Sequence, residues 1–245
     1  ARKPARSGVS ARSVTAAILA SVRVGAGGVR GTLAAMGYAT DQRQAFSDSL
    51  LEVDADAPTL CSGWTAYDLA SHCWVRERRF KALLGIGAKR FEHLAEAEMA
   101  RAREQYGYVE LASRLRDTPR TPITLLPGGD DLVNAVEYLV HTEDVRRANA
   151  LPRRVIDAGF EDVLWRRLPL MGRMFFAKAP VGVLLERSDA DAPPVRAKAG
   201  ASTVTVIGRP SELILFAFGR QGAADVKLVG EPSSVDVLKR TKLGA

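Results

Sequence analysis

The sequence predicts an α+β protein, in which a helical N-terminal part precedes a smaller part that mixes strands and helices. Two observations lead to this prediction. Up to Pro152, apolar residues recur at the three- and four-residue spacing of helices. Beyond Pro152, short β-branched runs bounded by Gly, Pro and Asp are typical of strands. We therefore divide the chain into residues 1–36, a basic extension, 37–152, a helical domain, and 153–245, a connecting helix and a small α/β domain.

The extension is rich in Gly, Ala and Ser and contributes much of the chain's charge of +7. Positions 1–35 contain six basic residues and no acid, so the remainder carries 29 basic against 28 acidic residues. Because a nucleic-acid binder needs a basic face on its folded part, we predict no nucleic-acid partner. We expect the extension to be disordered or a mis-assigned upstream sequence. A targeting signal or a contact arm is the alternative.

The helical domain begins with two helices separated by a loop that contains Pro and Gly. The first is predicted over residues 40–53, where Thr40 can cap the start. The second is predicted over residues 65–84, because Thr65 and Asp68 have the spacing of a capping box.

The spacing of apolar residues predicts three more helices in this domain. A charged, Ala-rich helix ends near Glu104, another covers residues 108–116, and a third runs from about Asp131 to Asn149. Four or five helices with short connections favour a helical bundle.

The C-terminal part starts with a helical segment, residues 154–179. Residues 210–220 form another predicted helix with Pro210 in its first turn. Between and after these helices lie four predicted strand regions, residues 181–189, 193–200, 202–208 and 225–232.

The sequence disfavours an integral membrane protein and a disulfide-rich protein. No apolar run approaches the roughly 18 residues that cross a bilayer, so we predict no membrane segment. Cys61 and Cys73 are too few for a disulfide framework, which indicates reduced thiols and a cytoplasmic protein. Both are expected to act as small buried hydrophobes rather than nucleophiles.

A candidate metal site comes from helical spacing. Glu137 and His141 are four residues apart, so their side chains share a helix face and lie about 6 Å apart. His72, on a helix expected to pack beside theirs, is the candidate third ligand. Two imidazoles and one carboxylate, with a fourth position left open, are typical of catalytic zinc, and the same set suits nickel or iron.

Each of these residues also has a structural interpretation. His72 could be a hydrogen-bonded core histidine, and Glu137 with His141 a stabilising pair on a solvated helix. His93 is surrounded by charges and is expected to be solvated. The acids and arginines of residues 143–147 are most simply intrahelical ion pairs and partners of the helix dipole.

Two segments resemble a known family. Residues 58–72, "PTLCSGWTAYDLASH", and 134–148, "NAVEYLVHTEDVRRA", look like the metal-binding domain of the mycothiol-dependent maleylpyruvate isomerase family. That family belongs to the DinB-like four-helix bundles, and the chain is most similar to an actinobacterial branch of metal-binding members. This resemblance covers about residues 36–150. Residues 203–240 resemble, less specifically, the family's small C-terminal α/β domain, which is related to sterol-carrier-like folds.

The resemblance implies a divalent metal, zinc in the isomerase itself. Its motifs G-W-x-x-x-D-L-x-x-H and E-x-x-x-H place the ligands at His72, Glu137 and His141. Relatives often have a second histidine where Thr142 stands here. A residue one step along a helix points about 100° away, so we expect no ligand to be lost.

The resemblance also implies a thiol cofactor and one catalytic residue. In the isomerase the metal is thought to hold and activate mycothiol, and a metal lowers the pKa of a thiol that it binds. Arg220 matches a Gly-Arg pair at the end of a C-terminal helix in relatives and could pair with a substrate carboxylate. A cation that caps the helix C-terminus is the alternative role for Arg220.

We therefore predict a mycothiol-dependent transferase or isomerase that acts on a small electrophile. Its partners would be a small-molecule substrate and a low-molecular-weight thiol, and the protein would be a monomer or a homodimer. The alternative is a non-catalytic protein of the same fold that binds a metal or a small ligand. A third reading is a C-terminal domain that binds a lipid-like apolar ligand, with the metal in a structural role.

Overall fold

A computed structural model describes residues 37–78 and 92–244. They form helices and a four-stranded sheet, which confirms the predicted α+β class. The chain divides into two compact units, one ending at Arg153 and the other beginning at Arg154. Within the described residues, no helix is both long and apolar enough to cross a membrane. The predicted basic extension, residues 1–36, lies outside the described residues, as does the end of the helix predicted over 65–84.

The described part of the first unit contains five helices. They are α1 (Tyr38–Leu51), α2 (Ala66–Arg78), α3 (Glu92–Gln105), α4 (Tyr108–Arg114) and α5 (Gly129–Ala148). Helix α1 packs along α5, α2 packs against α3, and α4 contacts both α1 and α2. The Pro- and Gly-rich stretch between α4 and α5 forms turns, in agreement with the loop expected from its composition.

The starts of α1 and α2 can be compared with the capping residues predicted from the sequence. Thr65 Oγ1 accepts from Asp68 N at 3.2 Å and Asp68 Oδ2 accepts from Thr65 N at 3.0 Å, so the predicted capping box is present. The prediction that Thr40 caps α1 is wrong, because α1 begins at Tyr38. A backbone N–H of that first turn, at the buried Ala39, instead donates to Asp131 Oδ1 of α5 at 2.7 Å.

Helix α5 starts at Gly129, slightly before the predicted Asp131. A Cβ atom at Gly129 would lie 2.2 Å from the backbone oxygen of Ile123, so only glycine fits there. Every side chain of α5 from Val133 to Val145 is buried. Several of these side chains are polar or charged, and buried polar groups have to be paired. This helix therefore carries the polar interior of the first unit.

The second unit is built on the four-stranded sheet. Its strands are β1 (Gly182–Arg187), β2 (Val195–Lys198), β3 (Thr203–Gly208) and β4 (Lys227–Val229), in the order β2-β1-β3-β4. Strands β1 and β3 are parallel, and both edge strands are antiparallel to their neighbours.

Three helices complete the described part of this unit: α6 (Ala158–Phe175), α7 (Pro210–Ala217) and α8 (Pro232–Arg240). Pro210 is in the first turn of α7, as predicted. Helix α6 contacts β2 and α7, and apolar side chains of α6, the sheet and α7 are buried. Helix α8 was not predicted from the sequence.

Candidate metal centre

The three predicted ligands are all buried in the first unit. His72 is on α2, and Glu137 and His141 are one turn apart on α5; the three residues are only 4–6% exposed. The rings of His72 and His141 lie 5.6 Å apart, almost perpendicular to each other. The ring of Trp64 lies 4.9 Å from that of His72. The fold thus brings His72 next to the Glu137–His141 pair.

The Glu137 carboxylate is incompletely satisfied. Its Oε2 lies 3.5 Å from His141 Nε2 and 4.0 Å from Arg76 Nε. Its Oε1 is buried and has no hydrogen-bond partner among the described residues. A buried polar atom that lacks a partner needs an explanation, and an ion that completes its bonding is one of the standard explanations.

The pKa values of His72 and Glu137 are shifted towards the protonation states that metal ligands need. Burial, together with the charges of His141 and Arg76, lowers the pKa of His72 to about 3, so its ring is neutral. Burial raises the pKa of Glu137, but Arg76 and His141 outweigh this effect and bring the pKa down to about 2. Glu137 is therefore ionised at neutral pH.

His141 behaves differently. Burial lowers its pKa, but the Coulombic interaction with Cys73 and the hydrogen bonds with Asp144, Cys61 and Glu137 raise it well above the usual value. In the metal-free protein the protonated ring is thus favoured, and it faces the Glu137 carboxylate. Metal binding requires neutral imidazoles and releases protons, so a divalent cation would replace this proton. Two imidazoles and a carboxylate with an unsatisfied oxygen fit a divalent metal.

Two further side chains lie behind His141. Asp144 Oδ2 is 3.0 Å from His141 Nδ1, and it also accepts from Cys61 Sγ at 3.2 Å. Cys61, His141 and Asp144 each offer a ligand atom within 4.8 Å of the others. This group shares only His141 with the predicted trio.

These contacts refine two expectations from the sequence. Asp144 is fully buried; it forms an intrahelical pair with His141, three residues before it, and also accepts from Cys61 in the loop before α2. Glu143 does form the expected pair, with its Oε2 2.8 Å from Arg147 Nε. Cys61 is partly exposed and hydrogen-bonded rather than a buried hydrophobe. The spacing of His141 and Asp144, three residues apart on a helix, is the signal that could have found the carboxylate.

Cys73 agrees better with its prediction. Its side chain is fully buried in the apolar core, and burial raises the pKa of its thiol to about 12. In the described residues, no disulfide joins Cys61 and Cys73. His93 is exposed, as expected.

A chain of buried and partly buried polar groups leads from the site towards α1. Arg76 Nη2 donates to Asn134 Oδ1 at 2.7 Å, and Asn134 Nδ2 donates to Asp130 Oδ1 at 2.6 Å. Arg43 Nη1 donates to Asp130 Oδ2 at 2.7 Å, and Arg43 Nε donates to Glu77 Oε1 at 3.0 Å. Arg43 has no exposed surface. This network holds the Arg76 guanidinium through its Nη2 atom.

Arg220, the predicted catalytic residue, lies in the second unit just after α7. Its Nη1 donates to the backbone oxygen of Phe218 at 2.7 Å, and its backbone N–H donates to Leu215 O at 3.0 Å. Both contacts close the C-terminus of α7, which matches the alternative role named for this residue. A catalytic role for Arg220 stays a prediction.

No protein-family model and no curated protein matches the chain. Two solved structures do: that of the mycothiol-dependent maleylpyruvate isomerase, with a TM-score of 0.47, and that of a histidine-to-alanine mutant of it, with 0.44. Each is 18% identical to this chain over 80% of its length and 92% of the other chain. These structures carry the name of the family that the sequence motifs resemble.

Proposed function

We propose that the first unit binds a divalent metal through His72, Glu137 and His141, and that the protein is a thiol-dependent isomerase or transferase. One observation carries the metal proposal. The ionised Glu137 carboxylate is buried with Oε1 lacking a partner among the described residues, while Oε2 is 3.5 Å from His141 Nε2. Zinc suits two imidazoles and one carboxylate best, with nickel or iron as other occupants.

The side chains around the ligands have distinct roles in this proposal. Arg76 keeps Glu137 ionised, so that the carboxylate is available as a ligand at neutral pH. Burial keeps His72 neutral and its ring nitrogen able to bind. Trp64 packs against His72 and limits the freedom of its ring. The Glu137 carboxylate supplies a negative charge and the imidazoles supply lone pairs, which offset the cost of burying a cation.

The reaction class comes from the motif resemblance. A bound divalent cation lowers the pKa of a thiol that it contacts, which makes a thiolate nucleophile available at neutral pH. Mycothiol is the proposed thiol, and a small electrophile that carries a carboxylate is the proposed substrate. We assign Arg220 to pairing with that carboxylate, because a guanidinium binds a carboxylate through two parallel hydrogen bonds. A cytoplasmic location is part of the same proposal.

A non-catalytic metal-binding protein is the second candidate. It is favoured by the low exposure of the three ligands, 4–6%, since a catalytic metal needs a coordination position that substrate can reach.

Metal analysis of the purified full chain tests the metal proposal. We expect stoichiometric metal in the wild type and its loss in the variants His72→Ala, Glu137→Gln and His141→Ala. His93→Ala removes an exposed histidine outside the site and is the matched control. A wild type without stoichiometric metal, or an unchanged metal content in all three variants, would contradict the proposal.

Calorimetry with mycothiol then separates the two candidate functions. The thiol-dependent enzyme should bind mycothiol when loaded with zinc, and binding should be lost after treatment with a chelator. Metal binding without mycothiol binding in the loaded protein would reject the cofactor and leave the non-catalytic metal-binding protein.

A further inference from the structure

Two hydrogen bonds join the loop between α1 and α2 to Asp144 of α5. The backbone N–H of Leu60 donates to Asp144 O at 3.1 Å, and Cys61 Sγ donates to Asp144 Oδ2 at 3.2 Å. The loop is also braced internally, because Thr59 Oγ1 donates to Trp64 O at 2.9 Å. Cys61 is therefore held beside Asp144 by several bonds.

Asp144 faces one nitrogen of His141, and Glu137 faces the other. Nδ1 lies 3.0 Å from Asp144 Oδ2, while Nε2 lies 3.5 Å from Glu137 Oε2. When Nδ1 carries the proton and donates to Asp144, the lone pair of Nε2 points to the Glu137 side. A carboxylate behind a histidine ligand acts in this way, fixing the tautomer and the ring orientation.

We propose that Asp144 and Cys61 are a positioning pair for His141. Asp144 holds the Nδ1 proton so that Nε2 is presented as the ligand, and the Cys61 thiol donates to Asp144 and keeps its carboxylate in place. Neither residue binds the metal. This inference rests on the proposed function, because it assigns roles around the metal proposed there.

The competing arrangement is a metal held by Cys61, Asp144 and His141 itself. That arrangement would use Nδ1, whereas the proposed trio uses Nε2. Two observations favour positioning. Nδ1 and Sγ are both at hydrogen-bond distance from the same oxygen, Oδ2, as expected for two donors that share one acceptor. Moreover, binding through Nδ1 would leave Glu137 Oε1 without the partner that it lacks among the described residues.

Cobalt(II) binding to the metal-free full chain tests the roles of both residues. We expect Asp144→Asn to weaken cobalt affinity about 10- to 100-fold, the usual effect of losing the carboxylate behind a histidine ligand. Glu143→Gln is the matched control, since Glu143 is a buried acid on the same helix that pairs with Arg147 instead. Cys61→Ser keeps a donor and should bind cobalt like the wild type, while Cys61→Ala should be weaker.

Spectroscopy distinguishes positioning from ligation. The wild type loaded with cobalt should show no ultraviolet thiolate-to-cobalt charge-transfer band. In the zinc-loaded protein, the imidazole nitrogen chemical shifts of His141 should show metal on Nε2 and a proton on Nδ1. These readouts also decide the question if Asp144→Asn does not fold.

Three results would overturn the inference alone: a charge-transfer band that Cys61→Ser removes, zinc on Nδ1, or unchanged cobalt affinity in a folded Asp144→Asn. A wild type that binds neither cobalt nor zinc would overturn the proposed function as well.

Discussion

Arg76 lies beside Glu137 in the interior of the first unit, with 4.0 Å between Arg76 Nε and Glu137 Oε2. The two side chains are 1% and 5% exposed. Arg76 is on α2 and Glu137 on α5, so this pair joins the two helices that carry the proposed ligands. The same arginine donates to Asn134, one turn before Glu137. The charge of Glu137 therefore depends on a neighbouring helix.

We predict that Arg76→Met lowers the free energy of unfolding by about 3 kcal/mol or more in the metal-free protein. The variant keeps a long side chain but removes the Arg76 charge, so that His141 alone is left beside the buried charge of Glu137. Zinc should recover part of this loss, because the metal replaces the missing positive charge. Urea denaturation with a chelator and with zinc measures both effects.

The control for this prediction is Arg101→Ala. The Arg101 side chain is 72% exposed and pairs with Glu98, so its loss should cost at most about 1 kcal/mol. If Arg76→Met is as stable as this control without metal, the pairing of Arg76 with Glu137 contributes nothing to stability.

The Arg43–Asp130 contact predicts a loss of stability in acid. Burial raises the pKa of Asp130, but hydrogen bonds from Arg43 and Asn134 outweigh it, so the pKa lies below its usual value. A carboxylate whose pKa is lowered in the folded state stabilises the fold above its unfolded-state pKa, about 4. That contribution disappears as the pH falls through the folded-state pKa.

Urea unfolding of wild type and Asp130→Asn between pH 6 and pH 3 measures this contribution. The wild type should be the more stable protein at pH 6, and the difference should shrink towards the acid end. Asp48→Asn is a control, because Asp48 pairs with Arg116 on the surface and its side chain is 46% exposed. A difference between wild type and Asp130→Asn that is constant across this range would rule out the titration of Asp130 as its cause.

Thr65 begins the helix that carries His72. We predict that Thr65→Ala lowers the free energy of unfolding by about 1 kcal/mol, because the backbone N–H of Asp68 loses its acceptor. Thr65→Ser retains the hydroxyl and should stay close to the wild type. Thermal and urea unfolding of the three proteins measure this effect. Equal losses in both variants would mean that packing of the threonine methyl group, and not the cap, is responsible.

The proposed role of Arg220 in binding a substrate carboxylate can be distinguished from a role in capping α7. If it binds a substrate carboxylate, Arg220→Ala should lower turnover about 100-fold with an unchanged metal content, and Arg220→Lys should not restore it. The assay is mycothiol-dependent isomerisation of maleylpyruvate, together with mycothiol transfer to a chromogenic electrophile. Full turnover in a less stable Arg220→Ala protein would assign Arg220 to structural contacts at the end of α7, such as the one with Phe218 O.

Much of the fold could be predicted because its signals are local. Hydrophobic spacing marked α5 to within a few residues, and the Thr65–Asp68 spacing marked the start of α2. The prediction for Thr40 was wrong for a non-local reason. The carboxylate that accepts from the first turn of α1 belongs to Asp131, which is 92 residues away from its donor, Ala39.

In the candidate site, too, some contacts have a local signal in the sequence and others do not. The spacing of Glu137 and His141 follows from helix geometry, so it was visible in the sequence, and His72 was the plausible third member. The contact of Cys61 with Asp144 joins residues 83 positions apart and has no local signature.

Local chemistry in the sequence thus predicts most of the helices, the change to strands after Pro152 and the three proposed ligand residues. The tertiary structure decides how those residues behave. Packing removes Glu137 and His141 from water, and in that environment the nearest charge controls ionisation. Arg76 and Asp144 are the neighbours that exert this control. Arg76 lies next to Glu137 only because α2 packs against α5. Cys61 lies next to Asp144 only because the loop before α2 packs there as well.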